Sequence, residues 1–151
     1  MNRTRGERGA VAIEFALIFG LLFGMFWAII SYALPFFTQQ VMNHAVAEAA
    51  RFAVRAELIT DRVSYEARLR TLANQQLTTS LAVLPPGFRA HLQREVQMQV
   101  VNGQRVLEVR LVYPNYNLQP IVPVMRLPGL GPIPNLPGNL TASARYQLAP
   151  L

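Results

Sequence analysis

Apolar positions are distributed unevenly along the chain. From Ala10 to Leu34 the only ionisable side chains are Glu14 and Tyr32, and Ala16 to Leu34 (ALIFGLLFGMFWAIISYAL) holds no formal charge. A helix of those nineteen residues is about 28 Å long, close to the roughly 30 Å of a bilayer's hydrocarbon core. Extended back to Ala10, it is long enough to span with some tilt. Trp27 and Tyr32 lie towards its C-terminal end, where amphipathic rings favour the headgroup layer. Pro35 follows and cannot donate to the preceding turn, so the pattern leaves open a kink or a fresh helix start.

Beyond the proline the period stays helical to about Leu58. Phe37, Val41, Ala45, Ala49, Phe52, Ala56 and Ile59 recur at steps of three and four. This stretch is expected to stack on the membrane segment as a long N-terminal spine. Glu48, Arg51, Arg55 and Arg62 fall near one face, which reads chiefly as a solvated face. Thr60-Asp61 offers a helix start. A second amphipathic helix is predicted from Asp61 to about Leu81, with Tyr65, Leu69, Leu72, Ala73 and Leu77 inward, ended by Pro85-Pro86-Gly87.

The period then changes to two. Glu95 to Val100 alternates polar and apolar, Asn102-Gly103 is a strong hairpin signal, and Val106 to Tyr113 supplies the return strand with Leu107, Val109 and Leu111 on one face. Residues 114–138 contain seven prolines in 25 positions, too many for regular structure over their length, yet the stretch is apolar enough to pack against the domain or a partner. Leu140 to Leu148 reads as a last strand, able to give the hairpin the third strand it needs. The expected fold is α+β: a long N-terminal transmembrane helix continuing into a helical region, packed on a small antiparallel sheet with a Pro-rich loop. The expected divisions are 1–9 (basic leader), 10–35 (transmembrane helix), 36–84 (helical region) and 85–151 (small β domain with loop 114–138).

Charge sets orientation. The chain is 52% hydrophobic and 15% charged, with a formal net charge of +6. All 14 basic residues are Arg. Arg3, Arg5 and Arg8 precede the apolar run and no Arg follows it until Arg51, which puts the N-terminus in the cytoplasm and the rest outside, periplasmic in a Gram-negative cell. The remaining Arg are scattered, so no nucleic-acid footprint is expected despite the basic pI. There is no cysteine, and His44 and His91 lack metal-ligand spacing. Neither a phosphate loop, a serine elbow nor paired membrane aspartates occurs. No catalytic role, cofactor, metal or small-molecule substrate is expected.

Glu14 is the exception in the apolar run. A carboxylate in a membrane helix is costly, by about 2.5–3.5 kcal/mol at the centre and less near an end, where it can snorkel. The segment admits three readings: a secretory signal peptide with Ser31 and Ala33 before the cut, a plain signal anchor, or an anchor with a processing site at its cytoplasmic edge. Gly20 and Gly24, four apart, are either harmless membrane glycines or a close-packing pair.

The run Arg8-Gly9-Ala10-Val11-Ala12-Ile13-Glu14-Phe15, after a short basic leader and before a long apolar stretch, resembles the processing site of type IV pilins. Its Glu-Phe form resembles the Flp/Tad tight-adherence branch. The order of elements, with Leu140-Thr141-Ala142-Ser143-Ala144 in the last strand, is similar to TadE-like chains. The resemblance implies cutting by a prepilin peptidase between Gly9 and Ala10, leaving a mature chain of 142 residues with 11 Arg against 7 acids. It further implies that Glu14 pairs with the new Ala10 amine of its own or a neighbouring subunit and sets axial register beside Phe15. A buried acid without its partner is costly, so such a pair favours one register. The implied role is a minor pilin or pseudopilin in the inner membrane, partnered by other pilin-like subunits and the assembly platform, and eligible for the extracellular pilus. The alternatives are a signal-anchored periplasmic binding domain and a pseudopilin of another secretion system.

Overall fold

The computed structural model describes residues 4–55, 62–116, 118–120, 122–127 and 131–148. The Thr60-Asp61 helix start, and Ala56 and Ile59, lie outside the described residues. The elements run in the order α1 (Thr4–Val54), α2 (Arg62–Ser80), α3 (Pro86–His91), β1 (Gln93–Val101), β2 (Gln104–Tyr113), β3 (Met125–Leu127), β4 (Gly131–Ile133) and β5 (Leu140–Gln147). The fold is α+β. Contacts divide the chain into two compact units, Met1–Leu34 with Val122–Asn135, and Pro35–Ile121 with Leu136–Leu151.

Helix α1 continues through Pro35. The proline lacks an N–H, which leaves the carbonyl of Ser31 without its usual donor; one missing bond does not end a helix whose neighbouring turns are intact. Of the two courses that the sequence allowed at this point, a kinked helix or a second one, a single helical run is observed.

In the second unit, the buried face of α1 is made of Met42, Ala45, Val46, Ala49, Ala50 and Ala53. Ala45 and Ala49 sit where the periodicity placed them, but Phe37 and Phe52 are 54% and 40% exposed. The core side of this helix is therefore its alanine side. Small side chains let a helix axis approach its neighbours closely, and a period that counts alanine and phenylalanine alike does not say which of them will lie nearest. Helix α2 buries Tyr65, Leu69, Ala73 and Leu77, with Leu72 half-buried. These positions repeat at four-residue steps, as the sequence pattern predicts.

Helix α2 ends at Ser80, ahead of Pro85-Pro86-Gly87, and Pro86 begins another helix. It occupies the first turn of α3, where its missing N–H would be unpaired anyway. Phe88 from α3 stacks on Tyr113 at 4.3 Å between ring centroids with planes 4° apart, and Tyr116 meets Tyr113 edge-on at 6.1 Å. The Tyr113 hydroxyl donates to the Gln119 carbonyl at 3.0 Å, and burial pushes its pKa above the ordinary phenol value.

Strands β1, β2 and β5 form one antiparallel sheet in that order, so β5 joins the hairpin on the β2 side. Asn102 and Gly103 turn the hairpin with φ of 53° and 76°. Both lie in the left-handed region that a two-residue turn of this hand requires, and which Asn and Gly adopt most readily. On the inner face Leu107 pairs with Met98 and Tyr146, Val109 with Val96 and Ala144, and Leu111 with Arg94 and Ala142. Leu107, Val109 and Leu111 are fully buried. The outer face is polar. There Arg145 meets Glu108 at 2.9 Å and Arg110 faces Glu95 at 3.9 Å, pairs that keep the sheet wettable more than they stabilise it.

Two side chains tie α1 to β5 within this unit. Gln39 Nε2 donates to the Thr141 carbonyl at 2.7 Å, and Arg51 Nε donates to Tyr146 Oη at 2.8 Å. Twelve residues of helix rise about 18 Å and five of strand about 17 Å, so these two bonds fix helix and strand side by side and running the same way. Arg51 also faces Glu48 at 3.5 Å. The bond to Tyr146 raises the Arg51 pKa above the ordinary guanidinium value, and the side chain stays exposed, as on a solvated face.

Candidate functional site

The candidate site is the first half of α1. Gly9, Ala10, Glu14, Phe15 and Gly20 are all exposed, and Gly24 is half-buried. Ala10 and Glu14 are one turn apart and share a face, with a rise of about 6 Å between them. Beside them runs a ladder of rings: Phe15 and Phe19 are stacked at 6.0 Å, Phe19 and Phe23 at 6.2 Å. The side chains from Val11 to Phe23 have no cover from this chain; Leu17 is 70% exposed and Leu21 75%. Such a length of apolar surface is incompatible with water and calls for lipid or other helices. Among the described residues neither Gly20 nor Gly24 has a neighbour within 4 Å of where a Cβ would stand.

Exposure changes at Gly24. Gly24, Trp27, Ala28, Ser31 and Tyr32, spaced as one helical stripe, are half-buried or buried. Ser31 is fully shielded, and so is the indole nitrogen of Trp27. The Tyr32 hydroxyl accepts the Asn135 N–H at 3.2 Å. Trp27 and Tyr32, read in the sequence as headgroup rings, are thus engaged by protein as well. The sequence signal for this stripe is present but faint: small and polar residues recurring on one side of an otherwise bulky apolar helix.

Among the described residues no group of three or more His, Asp or Glu side chains comes together. His44 is exposed, and His91 Nδ1 pairs with the Gly87 carbonyl of its own helix at 2.8 Å.

Fold and site together define a class of protein: an α+β chain whose first helix, α1, is long and apolar enough to cross a membrane. Residues 9–51 match the family model described as TadE-like protein, so this segment is similar to TadE-like proteins. The matched stretch begins at Gly9 and ends at Arg51, leaving α2 and both sheets outside it. No curated protein and no solved structure gives a significant match.

Proposed function

We propose that this chain is a minor pilin-like subunit that takes part in assembling a Flp/Tad pilus and acts as a structural component, not a catalyst. In this reading a prepilin peptidase cuts after Gly9 on the cytoplasmic side, α1 holds the chain in the inner membrane, and the second unit lies in the periplasm to meet partner subunits. The observation that carries it is the placement of Gly9, Ala10, Glu14 and Phe15, uncovered on one unbroken helix at the point where the TadE-like match begins.

Hydrolysis of the Gly9–Ala10 peptide frees a carboxylate on the leader and an amine on Ala10. That amine stands one turn from Glu14 on the same face, available to the carboxylate of its own or an adjacent copy. Pairing in lipid rewards one axial register, because a shift leaves an acid unpartnered where water cannot solvate it. The uncovered apolar surface then packs laterally with like helices, and Gly20 and Gly24 permit close approach there.

N-terminal sequencing of the membrane fraction tests the reading. A chain beginning at Ala10 in cells with the peptidase, and an intact leader in Gly9→Val, are expected. Glu14→Gln should insert into the membrane as well as the parent or better, yet fail to support surface pili. An intact leader in the parent, or normal piliation by Glu14→Gln, overturns it.

A signal-anchored binding domain is the second reading. What favours it is an apolar cavity of about 280 Å³ in the second unit, lined by Pro35, Phe36, Gln39, Leu136, Leu140 and Thr141 among others. A cavity of that size is at the small end for ligand sites, and its Gln39 amide is already engaged with Thr141.

A further inference from the structure

We infer that the Pro-rich segment, in its described residues 122–127 and 131–135, is a membrane-interface element, joined to α1 at Tyr32 near the C-terminal end of the spanning stretch, with its free apolar side in the lipid headgroup–acyl boundary. The inference rests on the reading that α1 spans a bilayer and adds a second point of lipid contact to it.

The first argument is depth. Val122–Asn135 forms one compact unit with the N-terminal part of α1, and the Asn135 N–H bonds to Tyr32 two residues before the end of the apolar run. Tyr32 stands about 3 Å of helix rise before Leu34, the end of the uncharged run. A segment bonded there is held at the edge of the C-terminal leaflet, not beyond it.

The second argument is that the segment's chemistry suits that level. Backbone N–H groups are the main obstacle to leaving water, since each unpaired one is costly in lipid. Pro123, Pro128, Pro132 and Pro134 have none. Met125–Leu127 pairs antiparallel with Gly131–Ile133, which occupies further backbone groups. Gly131, with φ of 79°, opens the return strand. The stretch contains no acid and a single charge, Arg126.

Third, both parts of this unit carry exposed apolar surface. Val122 and Pro134 are buried, while Pro123, Val124 and Pro132 remain exposed. In the same unit Ile29, Ile30 and Leu34 are 58%, 38% and 43% exposed. A helix surface that lipid must cover and an exposed apolar segment therefore belong to one compact unit, and lipid can cover both. A water-facing loop of this composition would leave Val124 and its neighbours in contact with solvent with no compensating bond.

The chain has no cysteine, so single cysteines report position cleanly. The full-length protein would be reconstituted in phosphatidylcholine vesicles at high lipid-to-protein ratio. Val124→Cys and Pro132→Cys would carry an environment-sensitive fluorophore, with Leu21→Cys as the spanning reference and Gln99→Cys, on the outer sheet face, as the aqueous one. Quenching of both hairpin labels by shallow spin-labelled lipid, several-fold above Gln99→Cys and with protection from iodide, is expected. Two hairpin labels guard against a local defect at either position. Labels quenched by iodide like Gln99→Cys overturn the inference while a lipid-quenched Leu21→Cys leaves the anchor reading standing. Labels shielded from lipid and iodide alike overturn it in favour of a protein contact. If Leu21→Cys is itself quenched by iodide, the spanning reading fails and the inference with it.

Discussion

The register of the β1–β2 hairpin decides which side chains form the core, and Leu107→Ala tests it directly. Leu107 is fully buried, set between Met98 on β1 and Tyr146 on β5. Truncation removes about three carbons of buried side chain, worth roughly 2.4 kcal/mol at about 0.8 per group. The cavity left among such neighbours adds to this, which places the total at about 3–4 kcal/mol, within the range known for buried Leu→Ala changes. Its neighbour Val106 lies on the other face and is only half-buried, so Val106→Ala should cost under about 1 kcal/mol. Because side chains alternate, a slip of one residue would exchange the two results. Urea titration of the vesicle-bound chain, read by pulse proteolysis, measures both. At an m-value of about 1.5–2 kcal/mol per molar, a loss of about 3 kcal/mol moves the Leu107→Ala midpoint down by roughly 1.5–2 M. Equal shifts for the two variants, or a larger one for Val106→Ala, would refute the pairing of Leu107 with Met98 and Tyr146.

Two further outcomes follow from the same unit. Tyr113 is held neutral by burial, so its folded pKa lies above that of the unfolded phenol. The unfolded chain therefore releases this proton first, and stability should be flat up to about pH 10 and fall as pH rises through the folded value. Tyr113→Phe should lessen that alkaline slope while losing the bond to Gln119, about 0.5–1 kcal/mol at neutral pH; an unchanged slope in chemical denaturation at pH 9–11.5 would count against the burial. Gly103→Val forces a β-branched residue to a φ of 76°, which should destabilise by roughly 1–2 kcal/mol, whereas Gly87→Ala, in open space without that constraint, should be near neutral; the two midpoints compared by the same titration settle it.

Much of this fold was legible because local patterns were unambiguous. Tyr65, Leu69, Ala73 and Leu77 repeat at the helical period, Gln and Val alternate through β1, and Asn102-Gly103 allows little but a tight turn. The candidate membrane span was legible for a simpler reason: the run from Ala16 to Leu34 carries no formal charge. Glu14, Gly9 and Ala10 were legible as candidates since a lone acid in such a run asks for an explanation. Their exposure in one uncovered stretch of helix was a matter for the structure.

Other features had no local signature. The face of α1 that enters the core carries alanines, with Phe37 and Phe52 left outside, because closeness of approach between elements selects small side chains and no short window of sequence reports which elements will approach. The short helix begun by Pro86 depends on Phe88 finding Tyr113, a contact across 25 residues. The Pro-rich stretch announced that it would not be a regular element, and that it was too apolar to be a free linker. Only the tertiary structure divided it, giving Val122–Asn135 to the N-terminal half of α1 and returning Leu136 to the unit that contains β5. Periodicity and charge act over a few residues and so determined the elements and the anchor; partner choice between distant segments is a competition among whole surfaces, and that competition is resolved only when the chain is folded.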